Sequence, residues 1–210
     1  VLAYAENIEN LKPLLGAVAH IANKHVSVGI RAEHYPIVGK HLIASIKDVL
    51  GEAATPELID AWTAAYTRLA DILIGAEKNI YDKNAVVEGG WTGWRFFKVA
   101  EKSKQTNDIT SFKLVPVDHG KMPDVKAGQY ISVRVFVKGQ GLIQPRQYTV
   151  VKADAASFTI AVKKVEAAEK SPAGMVSNTL HNDIQEGDLV EVSFPVGEFN
   201  LTEGDASLCL

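Results

Sequence analysis

The sequence predicts a protein of two parts, a helical part followed by a six-stranded antiparallel β-barrel. Apolar residues recur at helical spacing from the first residue to about Val87, and alternating β-branched runs are absent there. The stretch VEGGWTGWRFF then brings three glycines within five residues, which is typical of a break between regular elements. After it, short β-branched and aromatic runs are separated by turn signals such as KAGQY, VKGQG and QEGD.

Each of three helices predicted in the first part begins at a recognisable signal. A Lys-Pro pair at 12–13 opens the first helix, because proline is favoured in a first turn, and Gly29 ends this segment. A Tyr-Pro pair at 35–36 opens the second helix in the same way. Thr55 is a favoured N-cap before Pro56, so the third helix begins there and continues as one long element.

Two histidines, His20 and His25, fall on the first helix, and their spacing of five residues places them on different faces of it. An α-helix turns by about 100° per residue, so residues 4, 7 and 11 apart share one face. His25 follows Ile21, Val18 and Leu14 at these intervals and therefore lies on the apolar stripe. His20 points roughly 140° away and is expected to face solvent. The position alone allows two interpretations of His25, a core histidine bonded to a carbonyl or a metal ligand.

Glu77 and Tyr35 also fall on apolar faces of their helices. Glu77 follows Leu73 and Tyr66 by 4 and 11 residues and so continues the buried line of the third helix. A buried carboxylate needs a partner, because an unpaired charge is costly in the interior; the alternative is that Glu77 lies beyond the core edge. Together with His25, they are three inward-facing polar side chains, one on each helix, and these side chains could meet.

Six short strands follow, and their number and turn spacing predict a closed antiparallel barrel with one short helix around NTLHN. The predicted strands cover residues 96–99, 109–115, 130–137, 147–151, 158–165 and 189–194.

Composition excludes several classes of protein. The chain is 47% apolar with a net charge of −3, which is ordinary for a globular protein and unlike a nucleic-acid-binding one. The single cysteine, Cys209, cannot form an internal disulfide, so a reducing cytoplasm fits best. No run of about 18 apolar residues is present, and no membrane span is expected. The start without methionine and the apolar run at 205–210 indicate an internal piece of a longer protein.

The barrel contains a motif that points to a bound nucleotide. The segment QPRQYTVV places Arg146, Tyr148 and Thr149 at the start of a strand, where such residues alone also fit a surface cross-strand pair. The run resembles the Arg-x-Tyr-Ser/Thr signature of the ferredoxin-reductase-like FAD-binding barrel. Two later features occur in that family's order: PAGMVSNTLH, a glycine-led turn into a helix, and FPVGEF, a Pro-x-Gly loop.

This resemblance implies how the barrel holds FAD. A guanidinium binds phosphate through two hydrogen bonds, an aromatic ring packs against the isoalloxazine, and a hydroxyl bonds a flavin ring nitrogen. Free amides at a helix N-terminus bind the pyrophosphate. The FAD-binding residues that it implies are Tyr130, Arg146, Gln147, Tyr148, Thr149, Val176 and Ser177.

The helical part joined to such a barrel resembles the flavohemoglobins over nearly the whole chain. IANKHVSVGI is similar to the proximal-histidine segment of that family, EHYPIVGKHL to its tyrosine segment and GAEKNIY to its glutamate segment. The resemblance implies that His25 is the haem-iron ligand. It also implies that Tyr35 and Glu77 are the catalytic pair, acting through the imidazole, whose basicity a hydrogen-bonded carboxylate raises.

The resemblance also implies the domain organisation. Residues 1–87 would be the C-terminal part of a globin domain, 88–203 the FAD-binding barrel of ferredoxin-reductase type, and 204–210 the first strand of a truncated NAD(P)-binding domain. The missing parts would include the distal haem residues and nearly all of the NAD(P)-binding domain. This piece alone is therefore expected to be inactive.

The implied function is that of a nitric oxide dioxygenase with heme b, FAD and NAD(P)H. NAD(P)H would reduce FAD, FAD would reduce the haem, and O₂ at the haem would convert NO to nitrate. NO and O₂ would be the small-molecule partners of a cytoplasmic monomer that binds no nucleic acid. Two alternatives remain open, a haem-containing NAD(P)H reductase with another acceptor and a haem and flavin redox sensor.

Overall fold

A computed structural model describes Tyr4 and residues 6–197 of the chain. The chain forms two compact units that divide between Lys83 and Asn84, the first helical and the second a β-barrel. Within the described residues, no helix combines the length and the apolar character that crossing a bilayer requires. The domain bounds derived from the sequence stay predictions, and the strand predicted at 204–210 lies outside the described residues.

The helices of the first unit begin where their sequence signals predict. Pro13 lies in the 3-10 turn before the first helix, and Pro36 lies in the first turn of the second. Gly29 takes a φ of 79° just after the first helix, a left-handed conformation that glycine adopts without strain, and the helix ends there. The helices are α1 (Leu15–Ser27), α2 (Tyr35–Leu50) and α3 (Pro56–Val86), with 3-10 turns at Lys12–Leu14, Ala32–His34 and Gly51–Ala53.

Tyr35, Ala70 and Leu73 form the buried centre of the helical unit. Other apolar residues of α2 are not buried with them, since Val38 is 56% exposed and Val49 is 84% exposed. An amphipathic pattern identifies a face of a helix, but burial also needs an element packed against that face. The apolar residues of α2 are therefore only partly covered by the residues that the structure describes.

The second unit is a closed antiparallel barrel in which all six predicted strands are present. Its elements are β1 (Trp94–Lys104), β2 (Ile109–Pro116), β3 (Tyr130–Val137), β4 (Leu142–Asp154), β5 (Ser157–Lys163), α4 (Met175–Asn182) and β6 (Leu189–Ser193). The strand order around the barrel is β1-β2-β5-β4-β3-β6. Strand β4 begins five residues before its predicted start, because Leu142 to Arg146 pair with β3. The sequence did not predict this extension because Pro145 lies within it, and proline is unusual inside a strand.

Aromatic side chains fill the barrel interior. Phe97, Phe112 and Phe158 are each at most 1% exposed, and the rings of Phe97 and Phe158 stack with 5.8 Å between their centroids. Trp91, within the glycine-rich break, packs near both rings and donates its indole N–H to the Val192 carbonyl at 3.2 Å. Close packing of this kind gives the strand residues a rigid frame.

Helix α4 is fastened to the barrel at its C-terminal end. Lys102 Nζ donates to the carbonyls of His181 at 2.7 Å and Ile184 at 2.6 Å. The His181 Nε2 donates to the Val162 carbonyl at 2.8 Å. A cation at the C-terminus of a helix also complements the helix dipole. These bonds attach the C-terminal end of α4 to β1 and β5, and the helix also packs against β3, β4 and β5, so its first turn is held in place.

Replacing Lys102 with methionine is expected to lower the free energy of unfolding of the barrel by about 2 kcal/mol, because two hydrogen bonds from a charged donor are lost. Urea unfolding followed by tryptophan fluorescence measures this change. Lys104→Met, at an exposed position on the same strand, is the matched control and should change stability by no more than about 0.5 kcal/mol. Equal unfolding midpoints for the two variants would contradict the role of Lys102.

Candidate functional site

His25, Tyr35 and Glu77 come together in the helical unit, each from a different helix. The His25 Nδ1 lies 2.7 Å from Glu77 Oε1 and 3.1 Å from the Tyr35 hydroxyl oxygen. The Tyr35 hydroxyl donates a hydrogen bond to the same Glu77 oxygen. The expectation that three inward polar groups meet is therefore confirmed, and His20 lies exposed on the opposite side of α1, as its spacing predicts.

Local structure explains why these residues meet. His25 lies in the last turn of α1 and Tyr35 is the first residue of α2, so the short connection between the helices keeps them adjacent. Glu77 lies one turn beyond the buried Leu73 on α3. The side chain of Glu77 is 3% exposed, whereas that of His25 is 32% exposed. The imidazole thus has its Nδ1 edge buried and part of its surface open.

Hydrogen-bond chemistry decides which nitrogen of His25 is available. An ionised carboxylate only accepts hydrogen bonds, so its contact with His25 requires the hydrogen on Nδ1. The other nitrogen, Nε2, then carries a lone pair, and it makes no hydrogen bond to any described residue. Burial, reinforced by the hydrogen bond and charge of Glu77, raises the pKa of Tyr35 far above its ordinary value. The Tyr35 phenol therefore stays a neutral donor.

Tyr66 holds the backbone of Tyr35, a role that the sequence pattern did not reveal. Its hydroxyl donates to the Tyr35 carbonyl at 2.6 Å. Gly39, one turn along α2, leaves room for the ring, because a Cβ there would lie 2.5 Å from Tyr66 Cε1. The helical pattern counts Tyr66 only as an apolar position on α3. The one feature of the sequence that could have indicated this role is the Tyr66 hydroxyl, because the hydroxyl of a buried tyrosine needs a hydrogen-bond partner.

The residues of the predicted flavin site lie mainly on β4. Arg146, Tyr148 and the buried Val150 are two residues apart and so share one face of the strand. Arg146 is exposed, and its Nη1 donates to the Pro145 carbonyl at 2.7 Å. Within the described ranges, no carboxylate pairs with this guanidinium. Its remaining N–H groups are therefore available to an anion.

Tyr148 is half-buried against the barrel core, and burial raises the pKa of Tyr148 to about 12. Its hydroxyl makes no hydrogen bond within the part of the chain that the structure describes, and it remains protonated at neutral pH. Thr149 is exposed and pairs with Tyr130 of β3, while Gln147 pairs with Ser132. The Tyr148 hydroxyl and the Thr149 side chain are thus accessible on adjacent positions of β4.

The first turn of α4 offers backbone donors. Gly174 is the N-cap, and the amides of Val176 and Ser177 bond to no described residue, as is usual in a first turn. The Ser177 hydroxyl is occupied, since it donates to the Gly174 carbonyl at 3.1 Å and accepts from the Val165 amide at 3.3 Å. A Cβ at Gly174 would lie 2.6 Å from that hydroxyl, so this close approach requires glycine.

The histidine site of the helical unit fits haem, and the β4 and α4 residues of the barrel fit FAD, the two cofactors that the sequence predicts. A haem iron needs one imidazole nitrogen from a globin, and His25 offers Nε2 while Glu77 holds Nδ1. FAD presents a pyrophosphate and a flat ring; the guanidinium of Arg146, the first-turn amides of α4 and the ring of Tyr148 are complementary to them. The role of each individual residue stays a prediction.

Comparison with known proteins identifies the families that the two units resemble. Residues 2–73 match the globin family, and residues 96–201 match the oxidoreductase FAD-binding domain family. The chain belongs to the oxidoreductase FAD-binding domain family. The chain also carries globin helices, so the predicted fold class is confirmed. Haem and FAD, which the sequence predicts as cofactors, are confirmed by the same two matches.

Relatives of this chain include flavohemoproteins. The flavohemoprotein of Bordetella pertussis is 58% identical over 207 residues, which cover 98% of this chain and 51% of that protein. The flavohemoprotein of Chromobacterium violaceum is 52% identical, over 97% of this chain and 50% of that protein. The chain spans about half the length of these curated relatives. The resemblance to flavohemoglobins that the sequence motifs indicate is confirmed.

Solved structures show the same likeness. The flavohemoglobin of Malassezia yamatoensis, solved with bound FAD and heme, has a TM-score of 0.73 and 32% identity, covering 88% of this chain and 45% of that chain. The flavohem-like FAD/NAD-binding domain of a nitric oxide dioxygenase from Vibrio cholerae has a TM-score of 0.50 and 37% identity, covering 53% of this chain and 47% of that chain.

Proposed function

We propose that this protein acts in a nitric oxide dioxygenase, which uses NAD(P)H and O₂ to convert NO to nitrate. The observation that carries the proposal is the His25 imidazole, held at Nδ1 by Glu77 and free at Nε2, in a chain that continues into an FAD-binding barrel. The similar domain from Vibrio cholerae belongs to a nitric oxide dioxygenase. The proposal includes a cytoplasmic location, which the single cysteine supports, and a monomeric state.

When bound, NAD(P)H and FAD would supply hydride and single-electron chemistry, and haem would supply the iron at which O₂ and NO could react. The residues of the helical unit orient and tune the iron ligand. Glu77 accepts the hydrogen bond from His25 Nδ1, which makes Nε2 more basic and fixes the rotation of the ring. Tyr35 donates to the same carboxylate oxygen and holds it in place. A more basic imidazole gives more electron density to iron.

The residues of the barrel bind and orient the flavin nucleotide. The Arg146 guanidinium and the amides of Val176 and Ser177 would share the negative charge of the pyrophosphate. Tyr148 would shield one face of the isoalloxazine from water, and its raised pKa keeps the ring neutral. Thr149 offers a hydroxyl at the adjacent position of the strand. These side chains hold the nucleotide, while the barrel core keeps them in fixed positions.

Replacing Glu77 with glutamine is expected to weaken the bond between iron and His25 without unfolding the domain. Glutamine keeps the shape of the side chain but removes the charge that makes Nε2 more basic. Resonance Raman spectra of the ferrous haem protein should show the iron–histidine stretch at lower frequency, and haem affinity should fall about 10-fold or more. Asp60→Asn, at an exposed position of the same helix, is the control. An identical stretch in Glu77→Gln and the unchanged protein would contradict the role of Glu77.

Nitrate formation by the protein at its full encoded length tests the proposed function. With NO, O₂ and NAD(P)H present, nitrate should form in an amount equal to the NO consumed, and omitting O₂ or NAD(P)H should stop its formation. NAD(P)H oxidation without nitrate would contradict the proposal and favour a reductase with another acceptor. A spectral response to O₂ with no turnover would contradict it in favour of a redox sensor.

A further inference from the structure

Tyr81 is a buried polar group next to the triad that the proposed function does not use. It lies on α3 one turn beyond Glu77, so the two side chains project from the same face of the helix. Tyr81 is 8% exposed. Its hydroxyl donates to the backbone carbonyl of Ile30 at 2.7 Å, across 51 residues of sequence. A buried tyrosine tip with such a distant backbone partner fixes two elements relative to each other.

Ile30 is itself bonded to His25, which links Tyr81 to the histidine through the backbone. The Ile30 amide donates to the His25 carbonyl at 3.0 Å, and the Val28 amide donates to the same carbonyl at 3.1 Å. Between them, Gly29 takes its left-handed conformation and bonds back into the end of α1. This closes a tight turn directly after His25. The Ile30 carbonyl, at the end of that turn, accepts the hydrogen bond from the Tyr81 hydroxyl.

Arg31 fixes the ring of Tyr81 from the other side of the same turn. Its guanidinium carbon lies 3.9 Å from the centroid of the Tyr81 ring, a distance at which cation and ring attract. Burial raises the pKa of Tyr81, and Arg31 opposes this effect only in part, so the phenol remains a neutral donor. The contact with Arg31 thus holds the Tyr81 ring in the orientation that directs its hydroxyl to the Ile30 carbonyl.

We propose that Tyr81 is a positioning residue for His25, which sets the orientation of the imidazole by fixing the turn at residues 28–31. Helix α3 then holds His25 at two points, at the side chain through Glu77 and at the main chain through Tyr81 and Ile30. A rotation of the imidazole would have to move one of these two anchors. The inference rests on the proposed role of His25 as the haem ligand.

Tyr81→Phe tests the proposal in the haem-loaded protein at its full encoded length. The substitution keeps the ring under Arg31 and removes only the hydroxyl. Loss of one buried hydrogen bond should speed hydrogen exchange at the Ile30 amide about 5-fold. The iron–histidine stretch in resonance Raman spectra should shift or broaden, and haem transfer to an apoglobin acceptor should become faster by a similar factor. Tyr4→Phe, which removes a comparable bond to the Ala65 carbonyl, should change none of these signals.

The outcomes separate this inference from the proposed haem ligation. Faster exchange at Ile30 with an unchanged iron–histidine stretch would overturn it, because Tyr81 would then stabilise the turn without positioning the ring. Unchanged exchange would overturn it as well. Arg31→Met, which leaves the hydroxyl bond but frees the Tyr81 ring, should give a smaller shift in the same direction and serves if Tyr81→Phe is unstable. A haem spectrum that survives His25→Ala would instead refute the ligand itself.

Discussion

Replacing His25 with alanine is expected to abolish the five-coordinate ferrous haem spectrum of the full-length protein while leaving its flavin absorbance unchanged. Within the described residues, Glu77 and Tyr35 contact Nδ1 of His25, and Nε2 makes no hydrogen bond, which is why we expect Nε2 to bind the iron. Alanine removes the ligand, so most of the haem should be lost during purification. Visible spectra of the purified variant, normalised to flavin content, measure both signals.

His20→Ala is the matched control for this prediction. His20 lies on the same helix five residues earlier, is exposed, and is not aimed at Glu77. Its removal should leave the Soret band and the flavin band as they are. A normal ferrous spectrum in His25→Ala would show that the iron ligand is another residue.

Replacing Arg146 with alanine is expected to weaken FAD binding about 100-fold and to leave the haem spectrum intact. The guanidinium has no carboxylate partner in the described part of the chain, so its charge is free for a phosphate. Two charge-assisted hydrogen bonds contribute roughly 3 kcal/mol together, which corresponds to this change in the dissociation constant. Fluorescence titration of the FAD-free protein with FAD measures it.

Two further variants separate geometry from charge. Arg146→Lys keeps the positive charge but loses the planar pair of donors, so an intermediate loss of affinity is expected. Lys152→Ala removes a positive charge from an exposed position of the same strand and should bind FAD as the unchanged protein does. An equal loss of affinity in Lys152→Ala and Arg146→Ala would mean that net charge, and not the Arg146 contact, governs binding.

The helical triad was predictable because its members obey the local period of a helix. Glu77 stood out as a carboxylate on an apolar stripe, and the structure buries it to 2% exposure beside His25 and Tyr35. The period fixes which face a residue occupies, and a charge on a buried face demands a partner. The motif around Arg146 was visible for a related reason, since its residue types suit a phosphate and a ring.

The contacts that the sequence did not reveal are those between distant segments. Tyr66 and Tyr81 lie on the same stripe as Glu77, where the helical pattern counts them as apolar. Their hydroxyls bond to backbone carbonyls 31 and 51 residues away, and no local period encodes a partner at that separation. Strand β4 was underestimated because Pro145 is a poor strand residue, although pairing with β3 overrides that preference.

Anaerobic addition of NADH or NADPH to the full-length protein tests most directly whether haem and flavin act as one electron-transfer chain. Absorbance is followed at the flavin band and at the Soret band after rapid mixing, with His25→Ala as the matched sample without normal haem. The flavin band should bleach first, and the Soret band should then shift to that of ferrous haem at a rate limited by flavin reduction. A flavin that bleaches fully while the haem stays ferric would contradict electron transfer between them.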